Sequence, residues 1–227
     1  AAKEAVDFVG NMLNRNVEKG RMAEEDAQAA IANIEVVDSL VDFAHCQIVI
    51  EAVVENLEIK NVVFREIEAA VSDDTIIASN TSSLSVTTIA AACVRPERVA
   101  GMHFFNPVPL MKLVEVIDGV RTARHVAGVL MDLGKRMTRT PVHVRDAPGF
   151  LVNQVGRGYN IECAHIASDG VADYADIDRI CRDAVGFRMG PFELMDLTAV
   201  DVTHPATNLI YEQFYHEPRF RPATLMQ

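Results

Sequence analysis

The chain has 227 residues, 49% of them hydrophobic, enough for one large domain or two of ordinary size. Its formal charge of −11 excludes a general nucleic-acid binder, which needs a basic face, but not a small anionic ligand, for which a few placed cations or a helix N-terminus suffice. No apolar run reaches the length that spans a bilayer, so the protein is expected to be soluble, with no membrane partner.

From the N-terminus, Val6, Val9, Met12, Leu13 and Val17 recur at helical spacing over residues 1–19, and Glu24 to Ile31 continues as a second helix. Ile34 to Val37 reads as a short strand before a cap at Asp38-Ser39. Gln47 to Ala52 reads as a strand apolar enough to be buried on both faces. Asn56 caps a helix to about Val71, with Ile59, Val63, Ile67 and Ala70 on one face. Thr75 to Ser79 is another buried strand, followed by a short helix from Val86 to Ala92. Arg98 to Phe104 and Leu113 to Ile117 are strands, Ala123 to Met137 a helix, and Pro141 to Val144 the last strand.

Strands alternating with helices predict a mostly parallel, doubly wound sheet with an antiparallel end. The pattern changes at Asp146-Ala147-Pro148-Gly149. Beyond it only helices are expected: Phe150 to Ser168, Ala175 to Ala184, Pro191 to Met195 and Val200 to Tyr215, with Pro191 at a first-turn position. The predicted organisation is an α/β domain over 1–147 and an all-α domain over 148–227. Both ends read as cut: the chain opens inside a helical pattern and stops at Gln227 with nothing to close the fold, so a missing leader carries no weight. Cys46, Cys93, Cys163 and Cys181 show no metal spacing and read as free thiols of a reducing compartment.

The most informative stretch is His103-Phe104-Phe105-Asn106-Pro107 with Leu113-Val114-Glu115-Val116-Ile117. The connection is too short for a parallel crossover, so the two strands form a hairpin. If it is centred near Pro109, residues 103 and 115 face each other, with Cβ atoms about 5 Å apart. A Glu in an apolar strand needs a partner to be buried, and an imidazole held by a carboxylate moves protons near neutral pH. The bland alternative is a Glu facing water and a His filling space.

Ser79-Asn80-Thr81-Ser82-Ser83-Leu84-Ser85 follows a parallel strand, where open α/β sheets bind ligands. One of its serines, Ser83 or Ser85, can cap the next helix, but six polar residues in seven exceed that need. Glu55 and Lys60, after the preceding strand, suit ribose or phosphate contacts, or else a solvated pair. Asn153 lies near the junction of the two parts, as a ligand contact or as a buried amide tied to backbone. No G-x-G-x-x-G occurs in the chain.

Taken together, these residues resemble the L-3-hydroxyacyl-CoA dehydrogenase family over essentially the whole chain. The blocks are Glu51-Ala-Val-Val-Glu-Asn56, Ser79-Asn-Thr-Ser-Ser-Leu84, Gly101 through Ile117, Pro148-Gly-Phe-Leu-Val-Asn153 and Gly190-Pro-Phe-Glu-Leu-Met-Asp196. The resemblance implies NAD as oxidant, an acyl-CoA substrate, and a Rossmann-like domain followed by a helical domain that forms a homodimer. It implies that His103 is the general base, Glu115 its partner, Ser82 a contact of the substrate 3-oxygen, and Asn153 a contact of the thioester. Glu55, Lys60, Ser82 and Asn106 fall at cofactor-side positions. The end of the chain resembles longer bacterial members, including those of phenylacetate-type catabolism. A cytoplasmic location is expected, the mitochondrial matrix remaining open.

The departure is the first βαβ unit, whose glycine turn holds the pyrophosphate in the family and is not in this sequence; NAD binding by the chain alone is therefore expected to be weak. Two rivals are related sugar-acid dehydrogenases, whose histidine block usually reads His-Pro-x-Asn-Pro, and a non-catalytic structural relative of the lens-crystallin kind.

Overall fold

The computed structural model describes residues 2–226, which form two compact units divided between His45 and Cys46. In the first unit, α1 (Ala2–Glu18) and α2 (Glu24–Ala32) pack as a helical hairpin, followed by a 3₁₀ turn at Leu40–His45. The strand expected at Ile34–Val37 does not form: these residues make no ladder, and Ile34 and Val36 are exposed. β-propensity amounts to little without a neighbour to pair with, and no strand among the described residues offers one here.

The second unit holds a five-stranded sheet in the order β1 (Ile48–Glu51), β2 (Ile76–Ser79), β3 (Val99–Phe104), β4 (Leu113–Asp118) and β5 (Thr140–Arg145). The first three strands run parallel, β4 is antiparallel to β3, and β5 is parallel to β4. The antiparallel end is thus two strands wide. In the hairpin His103 pairs with Glu115 and Gly101 with Ile117, the register expected from the spacing.

Reversing the strand direction at the hairpin has a geometric result. A right-handed crossover that advances in the same direction along the sheet must then switch faces. Accordingly α3 (Leu57–Ala70) and α4 (Val86–Ala90) cover one face, and α5 (Arg124–Arg136) covers the other. On the α5 face Val126, Ala127 and Leu130 pack on Ile76, Ala78, Ala100, Met102, Val114 and Val116. Side chains alternate along a strand, so His103 and Glu115 belong to the opposite face, where Val86, Ile117 and Phe150 pack together.

One helix and one strand differ in detail from expectation. The buried side of α3 is Lys60, Phe64 and Ile67, whereas Ile59 is exposed. One residue is a 100° turn, so the helix is rotated to bring a lysine inward. β1, expected to be covered on both faces, exposes Ile50 because it is the sheet's edge.

After β5 come α6 (Val152–Ser168), α7 (Tyr174–Asp183), α8 (Pro191–Thr198) and α9 (Val200–Gln213), then 3₁₀ turns at Pro218–Phe220 and Thr224–Met226. Ala164, Met195, Ala223 and Met226 form their core with Phe192. No helix among the described residues is long and apolar enough to cross a membrane.

Candidate active site

β4 and the start of α6 together fix one carboxylate. Glu115 has no solvent exposure. Its Oε2 lies 2.7 Å from His103 Nδ1, and its Oε1 accepts the backbone N–H groups of Leu151 at 2.9 Å and Val152 at 2.8 Å. Those N–H groups belong to the first turn of α6, where intrahelical acceptors are lacking and the helix dipole favours an anion. Gly149, with φ +73°, makes the turn that aims them; a residue with a side chain would be strained there. A carboxylate only accepts, so Nδ1 carries the imidazole proton and Nε2 keeps its lone pair. Rings of Phe105 and Phe150, 4.5 and 5.9 Å from the imidazole by centroid, pack at a tilt against His103. The arrangement is a proton acceptor with a fixed tautomer.

The serine-rich loop lies at the carboxyl ends of β2 and β3, beside this pair. Asn80 Oδ1 accepts the N–H of Phe104 at 2.9 Å, tying the loop to the end of the histidine strand. Ser85 is the N-cap of α4, accepting from Thr88 N and donating to Asp146 Oδ2 at 2.7 Å. Glu55 Oε1 gathers the rest: it accepts from Thr81 Oγ1 at 2.6 Å, the N–H of Ser82 at 2.9 Å, and the N–H and hydroxyl of Ser83 at 3.0 and 2.9 Å. Burial alone would raise the Glu55 carboxyl, but these hydrogen bonds and the charge of Lys60 outweigh it and hold it below the usual range. Ser82 remains exposed, its carbonyl 3.4 Å from Asn153 Nδ2. The loop's polarity is therefore largely spent on Glu55 and Asp146; Ser82 is exposed, its hydroxyl making only a long bond of 3.5 Å to Glu55 Oε1.

Lys60 stands differently from either sequence reading. It is 1% exposed, and its Nζ bonds Glu51 Oε1 at 2.7 Å and lies 3.4 Å from Glu55 Oε2. Glu51, itself buried, also accepts from Ser79 Oγ at 2.7 Å. As placed, Lys60 forms neither a solvated pair nor a free ammonium for a phosphate; it clamps two carboxylates beneath the loop. Asn106 is exposed just beyond β3. The structure thus brings His103 and Glu115 into contact and Asn153 to Ser82, buries Lys60, and leaves Glu55 partly exposed at the base of the loop.

The sequence reading missed Asn80, Asp146 and Glu51, which fasten the loop. Glu51 carried a signal, being a carboxylate at the end of an apolar strand. It also missed Asp178, whose buried carboxylate accepts the N–H groups of Phe192 and Glu193 at the start of α8. That bond explains the Gly190-Pro-Phe-Glu block as a docking point between α7 and α8.

Comparisons with known proteins agree with this architecture. The sequence model for the NAD binding domain of 3-hydroxyacyl-CoA dehydrogenase matches residues 1–147, and that for the C-terminal domain matches residues 149–227. A 3-hydroxyadipyl-CoA dehydrogenase of Escherichia coli (strain K12) is 39% identical over 227 residues, covering 100% of this chain and 48% of its own length. A fatty acid oxidation complex subunit alpha of Pseudomonas putida (strain GB-1) is 42% identical over 214 residues, covering 94% of this chain and 30% of its own. The chain therefore spans about half the first relative and less than a third of the second. Among solved structures, a 3-hydroxybutyryl-CoA dehydrogenase from Escherichia coli K12 superposes with a TM-score of 0.97 at 39% identity, over 99% of this chain and 48% of that one. A (S)-3-hydroxybutyryl-CoA dehydrogenase from Ralstonia eutropha gives 0.95 at 35%, over 100% and 80%. With both halves matched in order on a sheet that carries the His103–Glu115 couple, the chain belongs to the 3-hydroxyacyl-CoA dehydrogenase family.

Proposed function

We propose that the protein containing this chain interconverts an L-3-hydroxyacyl-CoA and the 3-ketoacyl-CoA. The observation that carries this reading is the buried His103–Glu115 bond of 2.7 Å, with the second carboxylate oxygen anchored on α6. In the oxidation, His103 Nε2 takes the hydroxyl proton as hydride leaves C3. The imidazolium that forms sits against a carboxylate already in place, so no group has to reorganise at the barrier. Ser82 donates to the 3-oxygen, and Asn153 orients the thioester carbonyl, which assigns the entropy of alignment to the binding step.

NAD, when bound, supplies the hydride acceptor. The residues present suit its nicotinamide side: Ser82 and Asn106 offer exposed hydroxyl and amide groups near the ends of β2 and β3. With Lys60 engaged beneath the loop, no pyrophosphate contact is assigned to it. Glu55 shapes the loop that Ser82 stands on.

We also place a homodimer contact on the helical segment. Phe150 and Ile161 are buried within the chain, but Leu151, Val155, Phe187 and Leu197 are exposed, and a second copy seated on the helices would cover them. Light scattering at micromolar concentration tests this: a stable monomer of the full-length protein overturns it. For the activity, reduction of acetoacetyl-CoA by NADH is the direct test. The reading fails if the full-length protein does not oxidise NADH in a substrate-dependent way.

A further inference from the structure

Arg157 is a buried cation that the chemistry above does not use. It lies on α6, is 8% exposed, and donates through Nη1 to the Thr203 carbonyl at 3.2 Å and to Thr207 Oγ1 at 3.0 Å on α9. Its Nε is buried without a partner. The other two buried cations each meet a carboxylate, Lys60 at Glu51 and Arg98 at Glu68, but Arg157 meets none among the described residues. Burial pushes its guanidinium below the ordinary value, with no neighbouring anion to offset the effect. An ion buried against neutral groups alone is expensive, and such a position is retained where something else brings the counter-charge.

Its place along the helix indicates what that is. Arg157 follows Asn153 by four residues, so the two lie on the same stripe of α6, about 6 Å apart along the axis. On the dehydrogenase reading the thioester sits at Asn153 and C3 at His103, so Arg157 stands one helical turn from the thioester contact. In a six-carbon chain the three bonds from C3 to C6 span about 4 Å, from C–C bonds of about 1.5 Å. A terminal carboxylate there would complete a charge-assisted bond with a guanidinium fork.

We propose that Arg157 recognises the far-end carboxylate of the acyl chain, so that the preferred substrates are short 3-hydroxyacyl-CoAs whose acyl group is a dicarboxylic acid. The inference rests on the dehydrogenase reading and narrows its substrate class. Thr203 and Thr207 hold the guanidinium in place until the carboxylate arrives. Simple aliphatic chains of equal length leave that charge unpaired.

The test compares two probes that differ only at the end of the chain, 3-hydroxyadipyl-CoA and 3-hydroxyhexanoyl-CoA, on the full-length protein. Wild type should favour the carboxylate-ended probe in kcat/KM, and Arg157→Met should lower that preference about 10–100-fold, the worth of one charge-assisted bond. Equal losses on both probes would make Arg157 structural and overturn the proposal, as would an unchanged ratio. Turnover of neither probe by wild type would instead overturn the dehydrogenase reading. If Arg157→Met does not fold, calorimetry on wild type decides: adipyl-CoA must bind about tenfold or more tighter than hexanoyl-CoA, and equal affinities reject the carboxylate site.

Discussion

Gly190 and Asp178 are packed so closely that a Cβ on the glycine would overlap the aspartate's Oδ1, Cγ and Cβ. The glycine has an ordinary extended backbone, φ −69°, so the constraint is one of space rather than of conformation. Gly190→Ala must push Asp178 off the N–H groups of Phe192 and Glu193. We expect a cost of about 1–3 kcal/mol from overpacking, read as a melting temperature several degrees lower. A melt within one degree of wild type would show that Asp178 has another place to go.

Replacing Glu115 by Gln keeps shape and removes the charge. If the amide oxygen serves Leu151 and Val152, the amide nitrogen faces His103 Nδ1, which must then accept; the ring proton moves to Nε2 and the base is lost. If the amide turns round, two helix N–H groups face donors. Glu115→Gln should therefore reduce kcat by about 10²-fold or more while circular dichroism shows an intact fold. Near-normal turnover would mean that the carboxylate does not set the tautomer.

His103→Gln should lower kcat by about 10²–10⁴-fold, the usual contribution of a positioned proton acceptor, with little change in acyl-CoA affinity. The split between kcat and KM is the readout. A loss appearing mainly in KM would assign His103 to binding instead.

The Glu55 carboxyl titrates below its unfolded value. Its contribution to stability is thus complete above the unfolded value near 4.5 and disappears as the pH falls through the lower folded value. Urea melts of wild type and Glu55→Gln should differ most at neutral pH and converge in acid below that range. A gap that widens toward acid would give the shift the opposite sign.

Cys93 and Cys163 are buried thiols, pushed up to about 11 and about 12, chiefly by burial. They should remain unmodified when the native protein meets iodoacetamide at pH 8, because the thiolate is the nucleophile. Mass spectrometry after short exposure reads the result; early labelling of either would point to local opening.

What could be read from the sequence follows from how local its cause is. The hairpin register needed only two apolar runs and a short connection, and His103 does face Glu115. Asn56 and Ser85 are caps because their side chains reach N–H groups three residues on. The strand at 34–37 failed because pairing is not a property of the strand alone. Lys60 was misread because a charge counts as surface in any periodicity argument, and only its bond to Glu51, nine residues back, makes burial affordable. Asp178 and Arg157 were invisible for the same reason: each acquires its meaning from an element packed against it.

The two oxygens of Glu115 act as an interlock. One orients the imidazole and the other holds the first turn of α6, so the base and the helix carrying Asn153 share a single fastening. Any displacement of α6 from the sheet would leave a buried anion with one of its three donors and a histidine with an unsteady partner. Chemical competence is therefore conditional on assembly: a chain whose helices are not seated cannot have its proton acceptor ready.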